Sequence, residues 1–131
     1  MMFHVFHSQE ERRKFGGSAF VEIQFCKMKP ESDLKKIVAV SSVNHWQEDS
    51  LYIYLDDIEN FIKEYGDIFY GGIYNNLESG LLDIYGINYY KPDLVETIIA
   101  RIDERQTTDY EILVEWLNKA KRYNGFYILG I

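Results

Sequence analysis

Two amphipathic helical segments follow one another near the end of the sequence, and they constrain the fold more than any other feature. The first begins at Pro92, a residue favoured in the first helical turn, and has a wide apolar stripe over residues 94–102. The second has Thr108 and Glu111 in the positions of a capping box, followed by an apolar face over residues 110–120. Stripes of this width predict that the helices pack against a sheet or against each other.

Most of the other apolar segments have the patterns of β-strands. Residues 18–25 alternate between apolar and polar side chains, which is typical of a half-buried strand. Residues 37–40 form an uninterrupted apolar run rich in β-branched side chains, which predicts a strand buried on both faces. Further strands are predicted over residues 51–55 and over residues 126–131, the last one inside the sheet because it is so apolar. The charged run Glu10–Lys14 is interpreted as a solvated connector.

The middle of the sequence predicts a short helix and then two short strands. Asp56 and Glu59 have the spacing of a capping box, and Gly66 stands where a left-handed C-cap would end the helix. The helical period then disappears. Residues 68–70 and 81–85 flank a glycine-rich and asparagine-rich stretch, which predicts two short strands joined by a loop.

This order of segments predicts an α+β fold. Clustered strands followed by a helix pair favour a mixed or antiparallel sheet of about five to six strands, packed by roughly three helices. A length of 131 residues fits a single compact domain over residues 1–131.

The negative charge of the chain is concentrated in one stretch. The protein has 21 acidic and 14 basic side chains, for a formal net charge of −7. Residues 1–50 are neutral, whereas residues 51–90 carry seven acids, one base and eight of the eleven tyrosines. Tyrosine is enriched at protein interfaces and acids attract basic partners, so the stretch predicts a surface for a cationic protein. The alternative is that the tyrosines pack in strands and the acids provide solubility.

No catalytic motif is present in the sequence. It contains no phosphate-binding glycine loop and no nucleophile elbow, so we expect no catalytic residue and no cofactor, and an enzyme is disfavoured. The carboxylate pair Asp56 and Asp57 is explained by its place at a helix start. Cys26 lies in an apolar run, where a lone cysteine usually serves as a small buried hydrophobe.

The three histidines do not predict a metal site. His4 and His7 lie in a segment that alternates like a strand, which would place them on opposite faces, and His45 is remote in sequence. No cysteine or acidic ligand accompanies them in a recognised spacing. We therefore expect no structural metal.

We interpret the chain as a small acidic binding protein. Small size, acidity and the absence of motifs are typical of bacterial immunity proteins and nuclease inhibitors, a likeness of physical type that rests on no family motif. The expected mechanism is occlusion of the cationic cleft of a basic partner protein, such as a toxin nuclease. The expected contact residues are the charges Asp67, Glu78 and Asp83 and the aromatic anchors Tyr70, Tyr74 and Tyr89.

Two alternatives remain open. Glycines bound the segment over residues 66–90, which could line the cleft of a small-molecule-binding protein or an enzyme. The same tyrosines could instead serve self-association into a homodimer.

The composition predicts a cytoplasmic protein. Residues 1–7 lack the basic region of a secretory signal, and no stretch approaches the roughly 18–20 apolar residues of a membrane span. A single cysteine fits a reducing compartment. The acidic balance argues against a nucleic-acid partner, and we expect no membrane partner either.

Overall fold

The computed structural model describes residues 1–17, 19–44 and 46–131. In these residues the chain forms one antiparallel sheet of six strands and five α-helices, which confirms the α+β prediction with two more helices than expected. The strands are β1 (Phe20–Phe25), β2 (Leu51–Tyr54), β3 (Gly72–Ile73), β4 (Ser79–Gly80), β5 (Ile87–Tyr90) and β6 (Phe126–Leu129). The helices are α1 (Gln9–Gly16), α2 (Leu34–Ile37), α3 (Ile58–Tyr65), α4 (Val95–Arg105) and α5 (Tyr110–Ala120). Within the described ranges, no helix has the length and apolar character needed to cross a membrane.

The C-terminal strand β6 lies inside the sheet, as predicted. The strand order is β2-β1-β6-β5-β3-β4, and β6 pairs with β1 on one side and with β5 on the other. All four residues of β6 are buried. Because both neighbours are antiparallel to β6, β1 and β5 end at the same edge of the sheet, where β6 begins.

Helices α3, α4 and α5 pack against one face of the sheet. The apolar stripes predicted for α4 and α5 lie in or against the main hydrophobic cluster, where most of their members are buried and Leu94, Tyr110 and Val114 are partly buried. The buried helical side chains are Ile58, Phe61, Tyr65, Val95, Ile98, Ile99, Ile102, Leu113, Trp116, Leu117 and Ala120. Each large apolar side chain in this set stabilises the fold by about 1.5–3 kcal/mol through burial.

The second face of the sheet is covered by chain that includes the run over residues 37–40. The strand predicted for this run is wrong, because Ile37 ends α2 and residues 40–42 form a 3₁₀ turn. Ile37 and Val38 are nevertheless buried, since they pack on the same cluster as Tyr127. An apolar β-branched run can cover a sheet as well as join it, so burial was predicted correctly for Ile37 and Val38. The prediction is wrong for the rest of the run, since Ala39 is half-buried and Val40 is exposed to 64%.

Strand β1 is buried on both faces, whereas its alternation predicted a half-buried strand. All six residues of β1 are buried, including Glu22 and Gln24 on the second face. Ser18, the first residue of the predicted strand, lies outside the described residues. The polar side chains of β1 are therefore interior groups that need partners.

Helix α1 occupies the place of the connector predicted over Glu10–Lys14. Ser8 caps it, because its side-chain oxygen accepts a hydrogen bond from the Glu11 N–H at 3.0 Å. The helix buries the charged residue Arg12, whose guanidinium lies over the ring of Tyr52 at 5.6 Å from the centroid. Since the buried residue is charged, no apolar stripe revealed the helix in the sequence.

Three predicted helix caps are not formed. Asp56 lies within the 3₁₀ turn before α3, and Asp57 takes the N-cap position without a side-chain hydrogen bond. Gly66 has a right-handed conformation, with φ −56°, in place of the left-handed one predicted. The Thr108 hydroxyl bonds to a carboxylate of the preceding chain, while Asp109, with φ 56°, takes the N-cap position of α5.

The chain between α3 and α4 contains a hairpin and one further strand, displaced from the predicted positions. Residues 68–70 and 81–85, predicted as strands, form turns and bends. The hairpin instead pairs Gly72 with Gly80 in β3 and β4. Strand β5 was not predicted, because its centre is the buried polar residue Asn88, whose amide donates to a β6 carbonyl at 3.0 Å.

Candidate protein-binding surface

The eight tyrosines of residues 51–90 divide between the core and the surface. Four of them have at most 1% of their surface exposed: Tyr52, Tyr65, Tyr89 and Tyr90. Tyr54 and Tyr74 are half-buried, and Tyr70 and Tyr85 are exposed to 54% and 77%. Packing therefore accounts for half of the tyrosines whose clustering predicted an interface.

Each of the four buried tyrosine hydroxyls donates a hydrogen bond to a main-chain carbonyl of another segment. A buried hydroxyl requires such a partner, and the bond joins a strand or helix to a loop. The acceptors are the carbonyls of Gln47, Thr108, Asn124 and Phe69, at 2.8, 2.6, 2.7 and 3.0 Å respectively. Burial raises the pKa of Tyr65 to about 12, so this hydroxyl keeps its proton at neutral pH.

Tyr89, one of the predicted anchors, lies in the interior. Its ring packs against Tyr127 with 5.5 Å between centroids, and its hydroxyl bonds to the Asn124 carbonyl. An anchor must be accessible in the free protein if it is to enter a pocket of a partner. Tyr89 is therefore not available as an anchor, whereas Tyr70 is exposed and Tyr74 is half-buried.

Asp67 is exposed, but its charge is compensated by Arg105 on α4. The two side chains form a bidentate pair, with nitrogen-to-oxygen distances of 2.6 and 2.7 Å. Hydrogen bonding from Arg105 lowers the pKa of the Asp67 carboxyl. An exposed pair of this kind contributes little to stability, but it cancels the charge that Asp67 was expected to present.

The other predicted contact residues lie at the outer edge of the sheet, around the β3–β4 hairpin. Tyr74 and Asp83 line one shallow cleft of about 240 Å³, and Glu78 lies beside it in the hairpin. Exposed apolar side chains surround these acids. We call the following exposed residues the acidic edge: Tyr70, Leu77, Glu78, Leu81, Asp83 and Tyr85.

Internal hydrogen bonds hold the acidic edge in one conformation. The Tyr74 N–H donates to the Glu78 carbonyl at 2.8 Å, and the Tyr74 hydroxyl donates to the Leu81 carbonyl. The buried Asn88 side chain accepts from the Asp83 N–H at 2.9 Å and donates to the Asp83 carbonyl at 2.7 Å. A surface fixed in this way loses little conformational entropy when it binds.

The two carboxylates of the acidic edge carry uncompensated charge. Within the described residues, neither Glu78 nor Asp83 forms an ion pair. Sequence reasoning missed the apolar members Leu77, Leu81 and Tyr85, whose exposed fractions are 47%, 63% and 77%. No periodic pattern in this segment could have separated them from core residues.

The histidines and the cysteine do not form a site in the described residues. The His4 ring packs on Phe15 at 4.7 Å between centroids, and burial lowers its pKa. His7 is exposed, and His45 lies outside the described residues. Cys26 is fully buried, as predicted. Among the described residues, no three or more His, Cys, Asp or Glu side chains come together as a metal site.

A buried carboxylate on the second face, Glu22, was not anticipated. Its Oε2 accepts hydrogen bonds from Ser50 at 2.6 Å and from Gln24 at 2.9 Å, and the Tyr52 hydroxyl oxygen lies 3.2 Å from it. Burial raises the pKa of the Glu22 carboxyl, and the hydrogen bonds act in the opposite direction. With 4% of its surface exposed and its bonds internal, Glu22 joins β1 to β2 and the loop before β2.

Comparison with known proteins gives no family. A scan against protein-family models found no match, and neither did searches of curated proteins and of solved structures. The fold and its surface therefore define a class only, an α+β protein with an exposed edge that is both acidic and aromatic. Function has to be argued from the chemistry of that edge.

Proposed function

We propose that the protein binds a basic protein partner through the acidic edge and acts as an inhibitor of the immunity-protein type. The observation that supports this most is the combination of two unpaired carboxylates, Glu78 and Asp83, with exposed Leu81 and Tyr85. Solvation alone would explain the acids, but it would not explain large apolar side chains exposed beside them.

The two kinds of side chain have separate roles in the proposed complex. Glu78 and Asp83 attract a cationic surface over long range and raise the association rate. Tyr85 and Leu81 are desolvated on contact and supply most of the affinity, as aromatic and apolar residues do at interface centres. Asp67 contributes less than the sequence suggested, because Arg105 already compensates its charge.

Inhibition follows from where such a surface would dock. A toxin nuclease needs a cationic cleft for phosphate groups, and the acidic edge is complementary to that cleft in charge. Occupation of the cleft by the protein would exclude the polyanionic substrate. No residue of the inhibitor needs to react for this mechanism.

A second candidate function is binding of a small molecule in the cleft between Tyr74 and Asp83. Its lining comes from residues 74–87, within the segment that suggested such a cleft. At about 240 Å³ it is smaller than most ligand sites, which occupy roughly 300–1,000 Å³. The protein-binding proposal is therefore the stronger one.

Affinity capture with matched charge variants tests the proposal. Immobilised wild type is compared with the double variant Glu78→Lys/Asp83→Lys and with the control Glu111→Lys/Glu115→Lys, which reverses two exposed acids on α5. We expect a basic protein to be retained by wild type and control at low salt and lost from the edge variant. Equal retention by all three would contradict the role of the acidic edge, and light scattering of the same samples distinguishes self-association.

A further inference from the structure

A groove lies at the edge of the sheet where β1 and β5 end and β6 begins. Two clefts of about 480 and 500 Å³ adjoin there, since both have Pro30, Pro92 and Asn124 in their lining, and we call the pair the groove. Strand β5 runs from the turn that carries the acidic edge to this groove, which places the two features at opposite ends of the strand.

The lining of the groove is basic, although the protein as a whole is acidic. The net charge of the chain is −7, yet five of its 14 basic residues line the groove against a single acid, Asp93. The basic lining residues are Lys27, Lys29, Lys91, Lys121 and Arg122. Such an accumulation favours an anionic ligand.

Three of these cations, Lys29, Lys91 and Arg122, form no ion pair within the described residues, whereas the other two are paired with neighbouring acids. Arg122 follows the C-terminal end of α5, where a cation complements the helix dipole. Lys29 and Lys91 lie in loops after β1 and β5, and Lys91 precedes the first turn leading into α4, where a cation is unfavourable. Helix stability therefore accounts for Arg122 but not for Lys29 and Lys91.

The groove also has apolar walls, which restrict the kind of anionic ligand that fits it. Leu34 and Ile37 line one cleft, and Tyr123 lines the other. The Tyr123 ring is already stacked on Phe25 at 4.6 Å between centroids, so it offers only one face for stacking with a base. A ligand with carboxylates and apolar side chains matches the groove better than a polynucleotide does.

Hydrogen bonds form the floor of the groove before any ligand binds. The Asn124 side-chain amide donates to the Lys29 carbonyl at 3.1 Å, and the Asn124 main-chain carbonyl accepts from the Tyr89 hydroxyl at 2.7 Å. Gly125 has φ +77°, and a Cβ there would lie 2.0 Å from the Tyr90 carbonyl oxygen, so this position requires glycine. The groove is thus preformed, which favours an extended ligand over a ligand that requires the groove to rearrange.

We propose that this groove binds a linear acidic peptide segment of a partner, with its carboxylates on Lys29, Lys91 and Arg122 and its apolar side chains against Leu34 and Ile37. In the first cleft the peptide meets Leu34, Ile37 and Lys91, and in the second cleft it meets Lys29 and Arg122. The site is separate from the acidic edge and does not depend on the function proposed for it.

Fluorescence polarisation with a fluorescein-labelled decapeptide of alternating glutamate and leucine tests this proposal. Wild type is expected to bind it saturably, and Lys91→Glu and Arg122→Glu are each expected to weaken binding at least fivefold. The control Lys63→Glu makes the same charge change on α3 and is expected to stay within twofold of wild type, as is Glu78→Lys/Asp83→Lys of the acidic edge. Thermal melting shows that each variant is folded.

Two further probes define the ligand class and the location. A lysine–leucine decapeptide is expected not to bind, and a labelled dT decamer is expected to bind at least tenfold more weakly than the acidic peptide. Amide NMR shifts caused by the acidic peptide are expected at Ser32, Leu34 and Asn124. Absence of saturable binding, equal weakening by Lys63→Glu, preference for the oligonucleotide, or shifts elsewhere would each overturn the proposal.

Discussion

Tyr90 and Tyr85 are close in sequence, but one is a core residue and the other a surface residue. Tyr90 has no exposed surface, stacks on Phe126 at 4.7 Å between centroids and bonds to the Phe69 carbonyl. Tyr85 is exposed to 77% and lies beside Asp83 in the acidic edge. The same amino acid therefore stabilises the fold at one position and is available for contact at the other.

This contrast shows what a cluster of tyrosines in a sequence can mean. A tyrosine in a strand fills the core with its ring while its hydroxyl reaches a loop carbonyl. Tyr85 lies in a turn and keeps its ring in solvent, whereas Tyr74, in the hairpin loop, is half-buried and donates its hydroxyl to the Leu81 carbonyl. The composition counts core tyrosines and surface tyrosines together, and only the three-dimensional structure distinguishes them.

The largest difference between the two tyrosines is expected when the whole ring is removed from each of them in turn. Tyr90→Ala is predicted to lower the free energy of unfolding by about 3–5 kcal/mol, because it leaves a cavity beside Phe126. Tyr85→Ala is predicted to change it by less than about 0.5 kcal/mol. Urea titration followed by circular dichroism measures both, and similar losses in the two variants would erase the distinction between core and surface tyrosines.

A smaller effect is expected when only the hydroxyl is removed. Tyr89→Phe leaves the buried Asn124 carbonyl without this partner and is predicted to cost about 1–3 kcal/mol. Tyr70→Phe, at an exposed position, is predicted to be neutral within about 0.5 kcal/mol. The same urea titration measures the free energy of unfolding of both variants. A neutral Tyr89→Phe would mean that the hydroxyl does not tie the strand to the loop.

The smallest effect is expected in the pH dependence of the free energy of unfolding. It compares a buried acid with an exposed one. The pKa of Glu22 is raised in the folded protein. Its contribution to the free energy of unfolding is therefore present at low pH and is lost as the pH rises through the pKa of the folded state. Glu22→Gln is predicted to flatten the fall in unfolding free energy above about pH 4.5. The control is the same substitution at an exposed acid, Glu78→Gln in the acidic edge, measured in the same titrations. An unchanged slope in Glu22→Gln would contradict a raised pKa of the buried Glu22 carboxyl.

The elements with periodic patterns were predictable from the sequence, and those built on polar groups were not. The apolar patterns of α4, α5, β1, β2 and β6 predicted their secondary structure, although β1 is buried on both faces and not on one. Helix α1 was missed because its buried residue is Arg12, and β5 was missed because Asn88 lies at its centre. Both depend on partners distant in sequence, which no local pattern reveals.

The candidate surface was predictable in location but not in membership. Charge counting located the acidic stretch, and Tyr70, Glu78 and Asp83 are exposed there. It could not show that Tyr89 points into the core, because the register of a strand centred on a polar residue was not recognised. The basic groove was missed altogether, since its cations come from three loops that meet only in the folded protein.

The role of the acidic edge is tested most directly by the association rate constant of the captured partner, measured against sodium chloride concentration. Wild type is predicted to lose at least about tenfold in rate between about 0.05 and 0.5 M salt, as expected for electrostatic steering. Glu78→Lys/Asp83→Lys is predicted to associate slowly at low salt with little dependence on salt. A rate that is the same for both proteins at every salt concentration would contradict the proposed role of this surface.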